Sequence, residues 1–166
     1  MRNIKSILLA VVLLTSAYVS QAQIAHINSE ELIAAMPETK SMENQLKVLG
    51  ENYDTEYKAQ ASALEAKAKK YQTEAATKTN TENEKRSQEI AEIQQKLQLY
   101  IRSAQEELQN KRYELIKPIV EKAQAAIEEI AAEKGIKYVL DSAAGKGLLV
   151  FKGEDLLPSV KSKLGI

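Results

Sequence analysis

Residues 39–80, TKSMENQLKVLGENYDTEYKAQASALEAKAKKYQTEAATKTN, decide the fold. Met42, Leu46, Leu49, Tyr53, Tyr57, Ala61, Leu64, Ala68, Tyr71 and Ala75 recur at steps of three and four. Side chains at those steps stand one above another on a helix, so the segment predicts one long helix with a single narrow apolar stripe. The stretch Thr77-Lys78-Thr79-Asn80-Thr81-Glu82-Asn83 holds no apolar residue. Thr and Asn side chains compete for backbone hydrogen bonds, so a turn there costs little. Beyond it Ile90, Ile93, Leu97, Ile101, Ala104, Leu108, Leu115 and Ile119 resume the same spacing. The two arms predict a helical hairpin with its tip near Asn80. Lys40 to Ala76 spans roughly 55 Å at helical rise. One stripe per arm cannot enclose a globular core, so the arms must bury their stripes on each other and leave a thin prong.

Composition narrows the function classes. Lys+Arg 23 balances Asp+Glu 23, so no charge excess points to nucleic acid or to an anionic membrane surface. Aromatics are 5% and Trp is absent, which argues against a large conventional core. Cys is absent too, which removes disulfides, thiolate zinc sites, a Cys nucleophile and the acceptor of a bacterial lipid anchor.

The first residues read as an export signal. Arg2 and Lys5 form a positive n-region, Ile7 to Leu14 is uninterruptedly apolar, and Ser20-Gln21-Ala22 offers small residues at a cleavage site. A spanning helix needs about 20 apolar residues, so this run predicts a cleaved signal peptide over 1–22 rather than an anchor. Cleavage after Ala22 leaves a soluble chain outside the cytoplasm, two charges negative once Arg2 and Lys5 are gone.

From Gln23 the chain alternates to Ile27 and reads as a strand. Asn28 caps a brief helix, with Glu31 placed for a capping box, and Pro37 ends it. Thr39 is placed to cap the first long arm. In the returning arm Pro118 lacks the N–H that would bind Glu114, which predicts a bend. Ile116, Val120, Ala123, Ile127 and Ile130 continue a denser stripe, and Gly135 offers a left-handed helix end. Ile136–Leu140 and Leu148–Phe151 read as strands joined by a turn-rich loop, and Asp155 as the cap of a last helix bearing Leu156, Leu157, Val160 and Leu164.

The expected fold class is α+β, mostly α: a long coiled-coil prong over 39–117, with its tip near 77–83, on a small β-rich body formed by 23–38 and 118–166. So small a body, with open strand edges, is short of apolar mass, which predicts that several copies share one core.

At Ile24-Ala25-His26-Ile27-Asn28-Ser29 and over Ile127 to Asp141, with the polar hairpin between, the chain resembles the Skp/OmpH family of periplasmic chaperones. The likeness covers Gln23 to Leu164. It implies a homotrimer whose three prongs enclose a cavity, and an ATP-independent holdase that keeps unfolded outer-membrane β-barrel proteins from aggregating in the periplasm. Well-known members carry strongly basic prongs, whereas Lys40 to Lys117 holds 14 basic and 13 acidic residues, a departure that bears on lipopolysaccharide binding. The alternative is a structural coiled-coil scaffold or adaptor in the cell envelope.

Tyr53, Tyr57 and Tyr71 lie on the first stripe and read first as hairpin packing, second as client contacts. Tyr100 and Tyr113 stand off or beside the second stripe and are the better candidates for client contact. His26, the only histidine, reads as a strand residue and not a ligand. Gly145-Lys146-Gly147 lacks the pattern of a phosphate loop and reads as a turn. The glutamates alternate with lysines along solvated helix faces. No catalytic residue, cofactor site or metal site is assigned, and the chain is not expected to be an enzyme.

Overall fold

The computed structural model describes residues 24–166. The export signal therefore lies outside the described residues. The elements in order are β1 (Ile24–Ile27), α1 (Ser29–Ala35), α2 (Pro37–Glu74), a 3-10 turn (Ala75–Thr77), α3 (Asn80–Glu133), β2 (Tyr138–Asp141), β3 (Glu154–Asp155) and α4 (Leu157–Leu164). The chain divides into two compact units: Ile33–Lys122, and Ala123–Ile166 together with residues up to Leu32.

The first unit is the hairpin. Its cross-arm partners run in opposite senses along the chain: Lys122 with Glu38, Tyr53 with Glu107, Tyr71 with Glu89, Arg86 with Glu74. Such a register makes the arms antiparallel. The α2 helix is 38 residues long, roughly 57 Å. It begins at Pro37 rather than Thr39, a correction to the expected cap. Proline pre-sets the first helical φ, and Met36 before it is held extended at φ −71°, ψ 133°. Thr39 instead lies inside the helix, buried, its hydroxyl donating to the Ile33 carbonyl at 2.5 Å.

The turn between the arms is residues 75–79, and Asn80–Asn83 form the first turn of α3. The reason is a capping box: the Glu82 N–H donates to Thr79 Oγ1 at 3.2 Å, while the Glu82 carboxylate accepts from the Thr79 N–H at 3.3 Å. The α3 helix is assigned continuously through Pro118.

The second unit holds a three-stranded sheet of order β2-β1-β3, all parallel. Ile24 pairs with Tyr138 and Ile27 with Asp141; Ala25 and His26 pair with Glu154 and Asp155. One side of this sheet is packed: Ala25, Ile27, Leu32, Ile130, Leu156 and Val160 are buried together with small alanines at 123, 126, 131 and 143. The helix end is a Schellman motif, the Ile136 N–H reaching the Ala131 carbonyl at 2.8 Å and the Gly135 N–H reaching Ala132 at 3.1 Å, with Gly135 at φ 67°. It delays the strand, so β2 starts at Tyr138 rather than Ile136.

The expected strand Leu148–Phe151 is not one. Leu149 and Val150 are 93% and 75% exposed, and the ladder to β1 forms instead at Glu154–Asp155. Gly153 brings the chain against β1: a Cβ there would stand 2.8 Å from the Ile24 carbonyl oxygen. The cap of α4 is likewise displaced. Leu156 occupies the cap position, while Asp155 Oδ1 accepts from the Leu157 N–H at 2.9 Å.

Candidate functional site

Two surfaces have the chemistry to hold something, one in each unit. In the hairpin, the stripe predicted from sequence forms the seam, but only Met42, Ala104 and Ile119 are deeply buried in it. Tyrosine and carboxylate pairs replace apolar contact along much of its length. Tyr53 donates to Glu107, Tyr71 to Glu89 at 2.6 Å, and Tyr100 to Glu56 at 2.9 Å. The Tyr53 and Tyr100 rings meet edge to face, 6.2 Å apart at 74°. Arg86 lies over the Tyr71 ring at 4.5 Å and bonds Glu74 at 2.9 Å, and Lys67 pairs with Glu89.

The electrostatics follow from those pairs. Tyr100 is pushed up to about 12, first by burial and then by its bond to Glu56 and that carboxylate's charge. The bond to Glu107 raises Tyr53, and the bond to Glu89 raises Tyr71. Lys67 and then the Tyr71 hydroxyl hold Glu89 below the usual carboxylate range.

Tyr100 therefore sits on the seam, not beside it. Ile101, expected in the stripe, is 38% exposed. The steps Leu97–Tyr100–Ala104 and Leu97–Ile101–Ala104 both satisfy helical spacing, so sequence alone does not choose between them. The hydrogen bond and ring contact available to tyrosine decide it. Tyr57 is half-buried on α2, and Tyr113 is 64% exposed.

Tyr113 is not isolated. Leu99 and Val120 are also exposed, at 55% and 41%. The three lie at multiples of seven residues, a spacing that brings side chains back to one face. This face of α3 is turned away from the seam, and Glu92, Glu106 and Lys117 share it. The sequence carries that signal as a second, sparser stripe behind the dominant one. Beside α2 an open cleft of about 740 Å³ is lined by Pro37, Lys40, Asn44, Val48, Leu49 and Lys111. Weak, separated apolar contacts on a charge-balanced surface suit an extended partner better than a compact one.

The second surface is the open side of the sheet. Alternation along β2 puts Tyr138 and Leu140 on one face, both exposed, next to Ile24 on β1. Phe151 joins them, its ring 4.5 Å from the imidazole of His26. A parallel sheet is normally covered on both faces, and here the described residues cover one.

Among the described residues no group of three or more His, Cys, Asp or Glu is placed to hold a metal. No helix of the described residues is long and apolar enough to cross a membrane.

Comparison with known proteins follows the fold. No curated protein sequence matches the chain. A Caulobacter crescentus CB15 protein, whose crystal structure is described as that of a "putative outer membrane chaperone (OmpH-like)", superposes with a TM-score of 0.75. The two are 14% identical, the match covering 87% of this chain and 85% of that one, so the fold is shared across nearly the whole length. The family profile described as outer membrane protein (OmpH-like) matches residues 23–164. The chain belongs to the OmpH-like outer membrane protein family.

Proposed function

We propose that this protein is an ATP-independent holdase chaperone of the periplasm. It binds unfolded outer-membrane β-barrel proteins between the helical prongs of a homotrimer and keeps them from aggregating. The leader over 1–22 is removed after Ala22, residues 23–38 and 118–166 build the shared body, and 39–117 form the prong. The observation that carries this reading is the exposed pair Leu99 and Tyr113, on one face of a prong whose own seam is largely polar. An unfolded barrel exposes strand edges and alternating apolar side chains that template aggregation. Many small contacts on a long surface hold such a chain without fixing its conformation, and binding by mass action needs neither nucleotide nor cofactor. Copies associate through the open sheet face around Ile24, Tyr138, Leu140 and Phe151. Membership of the OmpH-like family and the fold shared with the Caulobacter protein support the same reading.

The test is dilution of a urea-unfolded outer-membrane β-barrel protein into buffer with the purified chaperone and no nucleotide. Light scattering is expected to stay low at stoichiometric trimer. Full aggregation at several-fold excess would overturn the proposal. An envelope scaffold would leave scattering unchanged and would instead bind one folded partner, with losses confined to one stripe.

A further inference from the structure

The hairpin as a whole balances its charges, but the cleft of about 740 Å³ beside α2 does not. Lys40 and Lys111 line it and no carboxylate does. Lys40 is exposed and makes no ion pair among the described residues, while Lys111 is held at 3.0 Å by Glu114 of its own helix. Val48, 56% exposed, and the half-buried Leu49 supply the apolar part of the lining. Asn44, Gln45 and Asn52 supply neutral polar groups. From Pro37 to Asn52 the cleft runs about 22 Å, roughly four turns of α2. That is room for a row of side chains, not for a folded domain.

We propose that this cleft docks an amphipathic helix of another protein, one whose apolar stripe is flanked by carboxylates. The inference goes beyond the holdase reading and does not rest on it. Both arms are helices, whose backbone groups are bonded within their own turns, so they offer no strand edge. An extended segment would bring a full row of N–H and C=O groups and find only the amides of Asn44, Gln45 and Asn52 to answer them. A helix satisfies those groups internally. It presents apolar side chains at steps of three and four, the arrangement by which a helix lies in a groove.

Charge sets the flanks of that helix. The cross-arm pairs Tyr53–Glu107 and Lys122–Glu38 put Lys111 level with Leu49, so Lys40 and Lys111 enter the cleft about 13 Å apart and from different arms. That offset is about two and a half turns of a partner helix, which places two matching glutamates on opposite flanks of one stripe. The carboxylates of this stretch of α2 do not fill the role. Glu38 is taken by Lys122, Glu51 stands 3.9 Å from Lys47, and Glu43 lines a different cleft with Arg112. Each exposed charge pair is weak, so the apolar stripe carries the affinity and the lysines the choice of partner.

The experiment measures fluorescence anisotropy of a labelled, end-blocked peptide of about 18 residues, long enough to hold a helix, mixed with the full chain expressed from its complete sequence and purified. The peptide carries leucines at helical spacing and glutamates on both flanks. A second peptide has lysines in place of the glutamates, and a third has a proline at its centre. The glutamate peptide is expected to bind with a dissociation constant below about 1 mM, and the other two roughly tenfold more weakly. Lys40→Glu should narrow the preference for glutamate over lysine roughly threefold. Val48→Asp should weaken the glutamate peptide roughly tenfold, with circular dichroism confirming that both variants stay helical. No binding at about 1 mM, or equal affinity for the glutamate and lysine peptides, overturns the inference. A proline peptide that binds as tightly overturns it in favour of an extended occupant. Unchanged binding to Val48→Asp overturns it by placing the peptide elsewhere. Sedimentation in which Val48→Asp lowers self-association gives the cleft to a second copy and overturns it too. None of these outcomes touches suppression of barrel aggregation, so the holdase proposal stands or falls separately.

Discussion

Asp141 ties together three parts of the sheet unit with one carboxylate. Oδ1 accepts from the N–H of Ser29 at 3.2 Å and of Ala143 at 3.0 Å, and Oδ2 from the Ser29 hydroxyl at 2.6 Å. Burial pushes this group up, but the Ser29 hydroxyl, the two N–H groups and the charge of Lys146 outweigh it and hold it below the usual aspartate range. A depressed carboxylate stabilises the fold above its unfolded-state value and loses that contribution as the pH falls through and below it, here from about 4 downward. Asp141→Ala is expected to cost about 1–3 kcal/mol in urea unfolding near neutral pH, with a shallower acid-side decline than the wild type. Gly153→Ala tests a different constraint. With the Ile24 carbonyl 2.8 Å from the new Cβ, β3 must shift, and a loss of about 1–3 kcal/mol in the same measurement is expected. Residue-scale features were legible where they are local: Asn28 Oδ1 does accept from the Glu31 N–H at 3.0 Å, as its spacing predicts. The Asp141 bonds to Ser29 span 112 residues, and no short pattern announces such a pairing.

The hairpin seam illustrates how elements read differently from residues. Both long helices were legible, because a stripe kept over ten positions has no competing explanation. Its chemistry was less so: spacing locates a stripe but does not say whether tyrosines on it pack or bond. Tyr100 gives a direct measurement. Alkaline titration followed by ultraviolet absorbance should show one phenol lagging to about 12, and Glu56→Gln should bring it down. The protonated phenol is the one that fits the seam, so its contribution is intact below about 10, the ordinary tyrosine value, and is lost as the pH rises toward about 12. At the tip, Thr79→Ala removes the capping box and should cost about 1 kcal/mol, read as faster amide exchange in the first turn of α3. The missed element is equally instructive. Leu148–Phe151 has strand composition but no ladder, while β3 consists of Glu154 and Asp155, two residues that strands usually avoid. Their place is set by pairing to β1, a tertiary cause that propensity does not contain.

For the molecule as a whole, the proposed assembly depends on the apolar residues left open on the sheet unit. Leu149→Asp should shift sedimentation toward the monomer, by roughly tenfold in association, with helix content unchanged, since that side chain touches little in its own chain. The shortage that predicts assembly is legible in composition; the open sheet face proposed for it is not, since it is built from strands lying far apart in sequence. That separation has a temporal side. Ribosomes make β1 first and its two mates last, yet β1 is the middle strand of the sheet. Until translation reaches Asp141, Ile24–Ile27 is an apolar ribbon with both flanks vacant, and one flank stays vacant until Asp155. For most of its own birth, then, this polypeptide is the sort of sticky, unmated strand that its mature form is proposed to shelter.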